Sequence, residues 1–244
     1  WQFGSFIAPF ATSPVVLSSI ATYNDASAVV TRLRNISSTG FAMMMQGSEA
    51  NGIAHATEMV SYVAWEASCG EFNGYQFTVG KTADVVTHTP VYLGFTDQCA
   101  GAMTFTVPPV LLSDMQTTDG RDTANLRWDS KGNLSARVWV DEEQSRDGEV
   151  NHTSEALGYF TIGEASDTDG VTPSAPLTVE VGEAEVGDAW YRVDLEQQFS
   201  DPIVIAKLTS AYDADPAIIR IKDVDPTGFT LRVQEWDYLD DLHA

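Results

Sequence analysis

Apolar and polar positions along this chain alternate over short runs, with a period nearer two than the 3.6 of a helix. Val15-Val-Leu17, Val29-Val-Thr-Arg-Leu-Arg34 and Val60-Ser-Tyr-Val-Ala-Trp65 are β-branched or alternating stretches, the signature of strands with a buried face. Val110-Leu-Leu112, Ala124-Asn-Leu-Arg-Trp128 and Ala156-Leu-Gly-Tyr-Phe-Thr-Ile162 restate them in the same order. Turn residues separate the runs: Asn24-Asp25, Asp119-Gly120, Lys131-Gly-Asn133 and Asp225-Pro-Thr-Gly228. No stretch holds helical periodicity over a useful length. The pattern predicts an all-β chain of antiparallel β-sandwiches.

The strands recur as a set. Three segments open on an aromatic residue and a proline-flanked aliphatic run: Phe10-Ala-Thr-Ser-Pro-Val-Val-Leu17, Phe105-Thr-Val-Pro-Pro-Val-Leu-Leu112 and Phe199-Ser-Asp-Pro-Ile-Val-Ile205. From Pro14 to His55 the first copy lies on Pro202 to His243 without a gap. That pairing matches Arg32 with Arg220, Thr39-Gly40-Phe41 with Thr227-Gly228-Phe229, and Gln46 with Gln234. The middle copy sets Arg127, Glu155 and Tyr159 opposite Arg32, Glu58 and Tyr62. The period of about 94 residues is too long for a solenoid unit and fits a domain.

Three modules follow, over residues 1–67, 71–165 and 174–244. Tyr75-Gln-Phe-Thr-Val79 and Thr89-Pro-Val-Tyr-Leu93 read as the opening strands of the middle one. Leu177-Thr-Val-Glu-Val181 and Trp190-Tyr-Arg-Val-Asp-Leu195 play those parts in the third. The first begins at Trp1, opposite Trp190, and so lacks a first strand. The third stops at Ala244 and lacks its last, leaving only the middle module complete. Open strand edges are a liability. Two explanations stay open: the chain is a piece of a longer array, or neighbouring copies complete its ends by strand exchange.

Charge changes the picture. Thirty-five acidic residues face 13 basic ones, for a net charge of −22. Nucleic acid and anionic membrane surfaces are excluded as partners, since both need clustered Lys and Arg. No apolar run approaches the roughly 18 residues of a membrane span. The chain opens on Trp1 with no charged n-region or apolar h-region, so a signal peptide is expected to be absent or removed. The acidity has three readings: a solvated surface on a secreted protein, adaptation to high salt, or divalent-cation binding in acidic loops. Cys69 and Cys99 are an isolated pair, which predicts one disulfide in an extracellular setting, with two buried thiols as the alternative.

The proline-flanked strand, the apolar strand with its arginine, the Thr-Gly-Phe turn and the late aromatic strand together resemble the H-type lectin domain. The match is best over Pro14 to Glu66 and Trp190 to His243, while the middle copy carries Lys131-Gly-Asn-Leu134 in place of Thr-Gly-Phe. That resemblance implies a six-stranded antiparallel sandwich, often trimeric, binding N-acetylgalactosamine or galactose at inter-subunit clefts. In that family an arginine and a Trp-His pair contact sugar. The arginine falls on Arg32, Arg127 and Arg220. The Trp-His pair falls on Trp236-Asp237, on Ser48-Glu49 in the first copy and on Asp141-Glu142 in the middle one. Arg would donate a fixed fork of hydrogen bonds to sugar hydroxyls, and the Trp236 ring would stack on the sugar's apolar face. The alternative for each Arg is a strand residue paired with a nearby carboxylate.

Other candidate chemistry is thinner. His55, His152 and His243 recur, two of them with Glu58 or Glu155 three residues on, and could orient a loop. Calcium is possible in Asp141-Glu-Glu-Gln-Ser-Arg-Asp-Gly148 and Asp167-Thr-Asp-Gly170, though neither has EF-hand spacing. Asn35-Ile-Ser37, Asn133-Leu-Ser135 and Asn151-His-Thr153 are glycosylation sequons. No Gly-x-Ser-x-Gly, His-Glu-x-x-His or P-loop is present, and no cofactor or metal set stands out, so an enzyme is not expected. Two functions from different classes follow. The chain is a secreted or cell-surface carbohydrate-binding protein that gains by multivalency, or a structural subunit of an extracellular filament built from copies of itself.

Overall fold

A computed structural model describes residues 1–50, 55–72, 74–97, 99, 104–164, 178–207 and 210–239, and every regular element among them is a β-strand. The first repeat holds β1 (Gln2–Ser5), β2 (Val15–Ile20), β3 (Val29–Arg34), β4 (Gly40–Gly47) and β5 (Val60–Trp65). A connecting strand, β6 (Ser68–Phe72), leads into the second repeat. That repeat holds β7 (Tyr75–Val86), β8 (Val91–Gly94), β9 (Val110–Met115), β10 (Ala124–Asp129), β11 (Ser135–Glu142) and β12 (Glu155–Glu164). The third holds β13 (Tyr191–Asp194), β14 (Ala217–Asp225) and β15 (Gly228–Glu235). All pairings are antiparallel.

The second repeat is a full sandwich. Sheet β10-β11-β8 lies against sheet β6-β7-β12-β9. Leu111, Leu126, Val138, Leu157 and Tyr159 fill the space between them. The first repeat builds the same sandwich from β1-β4-β3 and β2-β5, around Val16, Leu33 and Phe41. Strand alternation gives β2 and β12 a second task. Val15 and Leu17 point away from their own sandwich, onto Phe160 and Ile162 of β12, so both strands are buried on two faces. The repeats therefore share an apolar seam rather than hanging as separate beads.

One register runs through all three copies. Arg32 stands opposite Met44, Arg127 opposite Trp139 and Arg220 opposite Arg232. The hairpin after each arginine strand also places one residue in the left-handed region: Asn35 (φ 54°), Ser130 (φ 49°) and Asp223 (φ 51°). Short polar side chains are the non-glycine types that tolerate this conformation best.

Two expected strands are not formed. Thr178–Val181 and Pro202–Ile205 are irregular, and Leu177 lies outside the described residues. Their counterparts in the second repeat, β7 and β9, pair on either side of β12. Among the described residues the third repeat has no counterpart of β12, so neither segment has a ladder to join. Val204 is buried all the same, while Val181 and Ile205 pack on the seam between the first two repeats. In the first repeat β5 pairs with β2 alone. The expected disulfide is present: Cys69 on β6 joins Cys99 in the loop after β8, with Cα atoms 6.0 Å apart.

Candidate functional site

The three recurring arginines are the best-defined polar feature of the molecule, and they are buried. Arg32, Arg127 and Arg220 are 0–2% exposed. Each leaves its own repeat and enters the loop of another. From β3, Arg32 donates through Nη1 to the Asp122 carbonyl at 2.7 Å and through Nη2 to the Gly120 carbonyl at 3.3 Å. From β10, Arg127 reaches the Asp215 carbonyl at 3.0 Å and the Asp213 carbonyl at 2.9 Å. From β14, Arg220 reaches the Ser27 carbonyl at 2.6 Å and the Asp25 carbonyl at 3.0 Å. Repeat one thus holds repeat two, two holds three, and three holds one, so the chain closes into a ring with pseudo-threefold symmetry.

The acceptors around each guanidinium follow the same plan. The residue 14 positions on along the hairpin accepts from Nη1: Gln46 at 3.2 Å, Asp141 at 3.1 Å and Gln234 at 3.2 Å. In two junctions a buried glutamate completes the set. Glu155 accepts from Arg32 at 3.2 Å and also from the backbone N–H groups of Asp119 and Gly120. Glu58 accepts from Arg220 at 3.4 Å and from the N–H groups of Asn24 and Asp25. The glutamate therefore shapes the loop whose carbonyls the arginine reads. Burial lowers the pKa of Arg32 and Arg220, and Glu155 and Glu58 oppose that shift.

His152 ties the first junction further. Its Nδ1 lies 2.8 Å from Glu142 and its Nε2 lies 3.2 Å from Glu155. Burial opposes its charge, but bonds to Glu155 and Glu142 outweigh that and raise the His152 pKa. Burial likewise favours a protonated Glu155, yet His152, Thr117, Gly120 and Arg32 together hold its pKa down. His55 sits 4.0 Å from Glu58, and His243 lies outside the described residues.

Around the axis the copies have diverged into complementary partners. The Asp114 carboxylate accepts from the Ser18 hydroxyl at 2.9 Å and from the Lys207 ammonium at 2.8 Å. Gln116 clasps the Val16 backbone, accepting from its N–H at 2.9 Å and donating to its carbonyl at 2.8 Å. Ser18, Asp114 and Lys207 edge a cavity of about 60 Å³ lined by all three repeats.

The clefts above the arginines differ. Between the third and first repeats, Arg232 stacks between Trp190 and Tyr23, with Lys222 on Trp190 and Arg220 on Tyr23, so that cleft is filled. Between the second and third, a cavity of about 360 Å³ is lined by Arg127, Asp129, Arg137, Trp139, Asp141 and Tyr212. Tyr212 is 89% exposed there. Burial raises the Asp141 pKa to about 6 against the pull of Arg127.

The sugar-site residues expected from sequence are thus redistributed. The three arginines are present at one structural position, but in ring closure rather than open to a ligand. Trp236 is fully buried against Ala28, Val30 and Ile218 and offers no stacking face. Asp237 is exposed and accepts from the Ala28 N–H at 3.2 Å. The strand register also moves the middle counterpart of Trp236-Asp237 from Asp141-Glu142 to Glu143-Gln144. Of the two calcium candidates, the first is committed elsewhere: Asp141 to Arg127, Glu142 to His152, and Glu143 to the Glu49 N–H and Ser145 N–H. Residues 167–170 lie outside the described residues. A cluster the sequence did not single out, Asp213, Asp215 and Glu235, brings carboxylate oxygens within 4.8 Å of one another. Trp139 and Tyr212 were also missed. Trp139 is visible in sequence only as one more residue in the alternation of β11, and Tyr212 only as a loop residue.

Fold and junctions together define a class: three antiparallel β-sandwich repeats clasped into a ring through buried arginines. No protein-family model and no solved structure matches the chain. Among curated proteins it is similar to halomucin of Haloquadratum walsbyi, 30% identical over 179 residues, which is 72% of this chain. The chain spans about 2% of the length of that relative.

Proposed function

We propose that this chain is a cohesive structural unit of a long extracellular protein that works in high salt. The observation that carries the reading is the commitment of all three recurring arginines to the loops of neighbouring repeats. Residues that repeat in order to bind a ligand keep their donors open, whereas these are closed on protein carbonyls. The disulfide Cys69–Cys99 supports an oxidising compartment. A net charge of −22 on a surface poor in Lys, together with similarity to a halophile protein, supports salt adaptation. The H-type lectin resemblance would then describe a fold reused for assembly.

The test is a ring-opening variant. A compact 244-residue chain has a radius of gyration of about 18 Å. Arg220→Met removes the clasp between the third and first repeats and leaves Glu58 buried without its cation. The expected result is a larger radius by small-angle scattering and a lower unfolding midpoint. A compact variant with unchanged stability would refute the cohesive role.

A second reading rests on the cavity between the second and third repeats. Its aromatic walls, Trp139 and Tyr212, and its polar floor suit a galactose-type sugar. In that reading a glycan array detects binding that Trp139→Ala abolishes while the far-ultraviolet spectrum stays unchanged. Binding that survives Trp139→Ala, or no binding by the parent protein, removes this site.

A further inference from the structure

The three sequons occupy different structural settings, and only one combines a free amide with a free hydroxyl. Asn133 is half-buried in the β10–β11 hairpin, and its Nδ2 donates to the Thr106 carbonyl at 2.8 Å. Asn35 is exposed, but the hydroxyl of its sequon, on Ser37, is tied into the turn by a 3.0 Å bond to the Gly40 carbonyl. Asn151 and Thr153 are both exposed, and no hydrogen bond to another described residue engages either side chain. The residue between them, His152, is buried between Glu142 and Glu155. In this irregular stretch before β12 the His152 N–H donates to the Val150 carbonyl at 3.1 Å, turning the backbone at Asn151. The buried His152 is flanked by exposed Asn151 and Thr153. With His152 held inward, the sequon's amide and hydroxyl are both left open to solvent.

We propose that Asn151 is a site of N-linked glycosylation. The chemistry needs an acceptor amide and a lipid-phosphate-linked oligosaccharide as donor. The Asn151 nitrogen forms a bond to the anomeric carbon of the first sugar and loses one proton to a base of the transferase. The anomeric carbon–oxygen bond to the lipid phosphate breaks, and its electron pair leaves with the phosphate. A bulky, hydrated group at this position stands clear of the ring junctions, since the side chain points away from the buried His152 cluster.

The experiment is peptide mass spectrometry on protein isolated from its native cells, together with two variants expressed in the same cells. An oligosaccharide on Asn151 with a bare Asn133 is expected. Thr153→Ser should keep the modification, because the hydroxyl remains, and Thr153→Val should abolish it without disturbing Asn151 itself. An unmodified Asn151 in the native protein overturns the assignment, as does a glycan that persists in Thr153→Val. A modified Asn133 would overturn the accessibility argument behind it.

Discussion

Arg32, Glu155, His152 and Glu142 form a buried row of alternating charge between the first two repeats, and each member depends on the next. Removing Arg32 would leave Glu155 facing His152 without its second cation, at a cost of about 3–5 kcal/mol. The row also weakens as pH rises. His152 has a folded pKa raised above its unfolded value of about 6.5. Its contribution is therefore complete below that unfolded value and lost as pH rises through the folded one. Glu49, raised to about 7 by burial, and Asp141, raised to about 6, finish their own destabilising ionisation below about pH 8. Urea midpoints followed from pH 6 to pH 9.5 should fall further in the parent protein than in His152→Asn, in which Glu49 and Asp141 ionise alike. Equal falls would assign the loss to other groups. The recurrence of the arginine was legible in sequence, but its burial was not. The carbonyls it meets lie 88 and 90 residues away in the case of Arg32, and no local pattern reports a partner at that distance.

At the scale of elements, strands that could pair within a repeat were readable, and strands whose partner is missing were not. β2, β3, β5, β9, β10 and β12 fall on the alternating runs. Thr178–Val181 and Pro202–Ile205 have the same composition and stay irregular, because β-propensity expresses a fit to a pleated neighbour more than a backbone preference. The shared turn geometry was hidden for a different reason: Asn35, Ser130 and Asp223 differ in type and agree only in φ. Close approach between elements gives a sharper test. Gly158 lies in the middle of β12, and a Cβ there would fall 2.6 Å from Val15 Cγ1 and 2.6 Å from the Gln116 side chain. Gly158→Ala should destabilise by about 1–3 kcal/mol through this overpacked seam. Gly148→Ala, with nothing within 4 Å, is the control and should be near neutral in the same thermal unfolding assay. A neutral Gly158→Ala would mean that β2 and β12 do not pack as closely as described.

For the whole molecule, the ring sets buried ionic junctions against a strongly acidic exterior, and the two respond to salt in opposite degrees. The net charge of −22 repels itself across the surface. That repulsion is screened as the Debye length falls from about 10 Å at 0.1 M to about 3 Å at 1 M salt. The Arg32–Glu155 and Arg220–Glu58 contacts have side chains with no exposure, so mobile ions reach them poorly. Salt should therefore weaken the compact state's opposing term while leaving its clasps nearly intact. The sequence supplied the charge but left its meaning open among three readings, since composition alone does not say whether opposing charges are buried or exposed. The measurement is the thermal midpoint between 0.05 and 2 M KCl, with a radius of gyration at each end. A midpoint that climbs with salt, with a radius that stays near 18 Å at high salt, is the expected outcome for a salt-dependent ring. A midpoint that falls with salt would mean that screened surface ion pairs, and not the buried arginines, hold the repeats together.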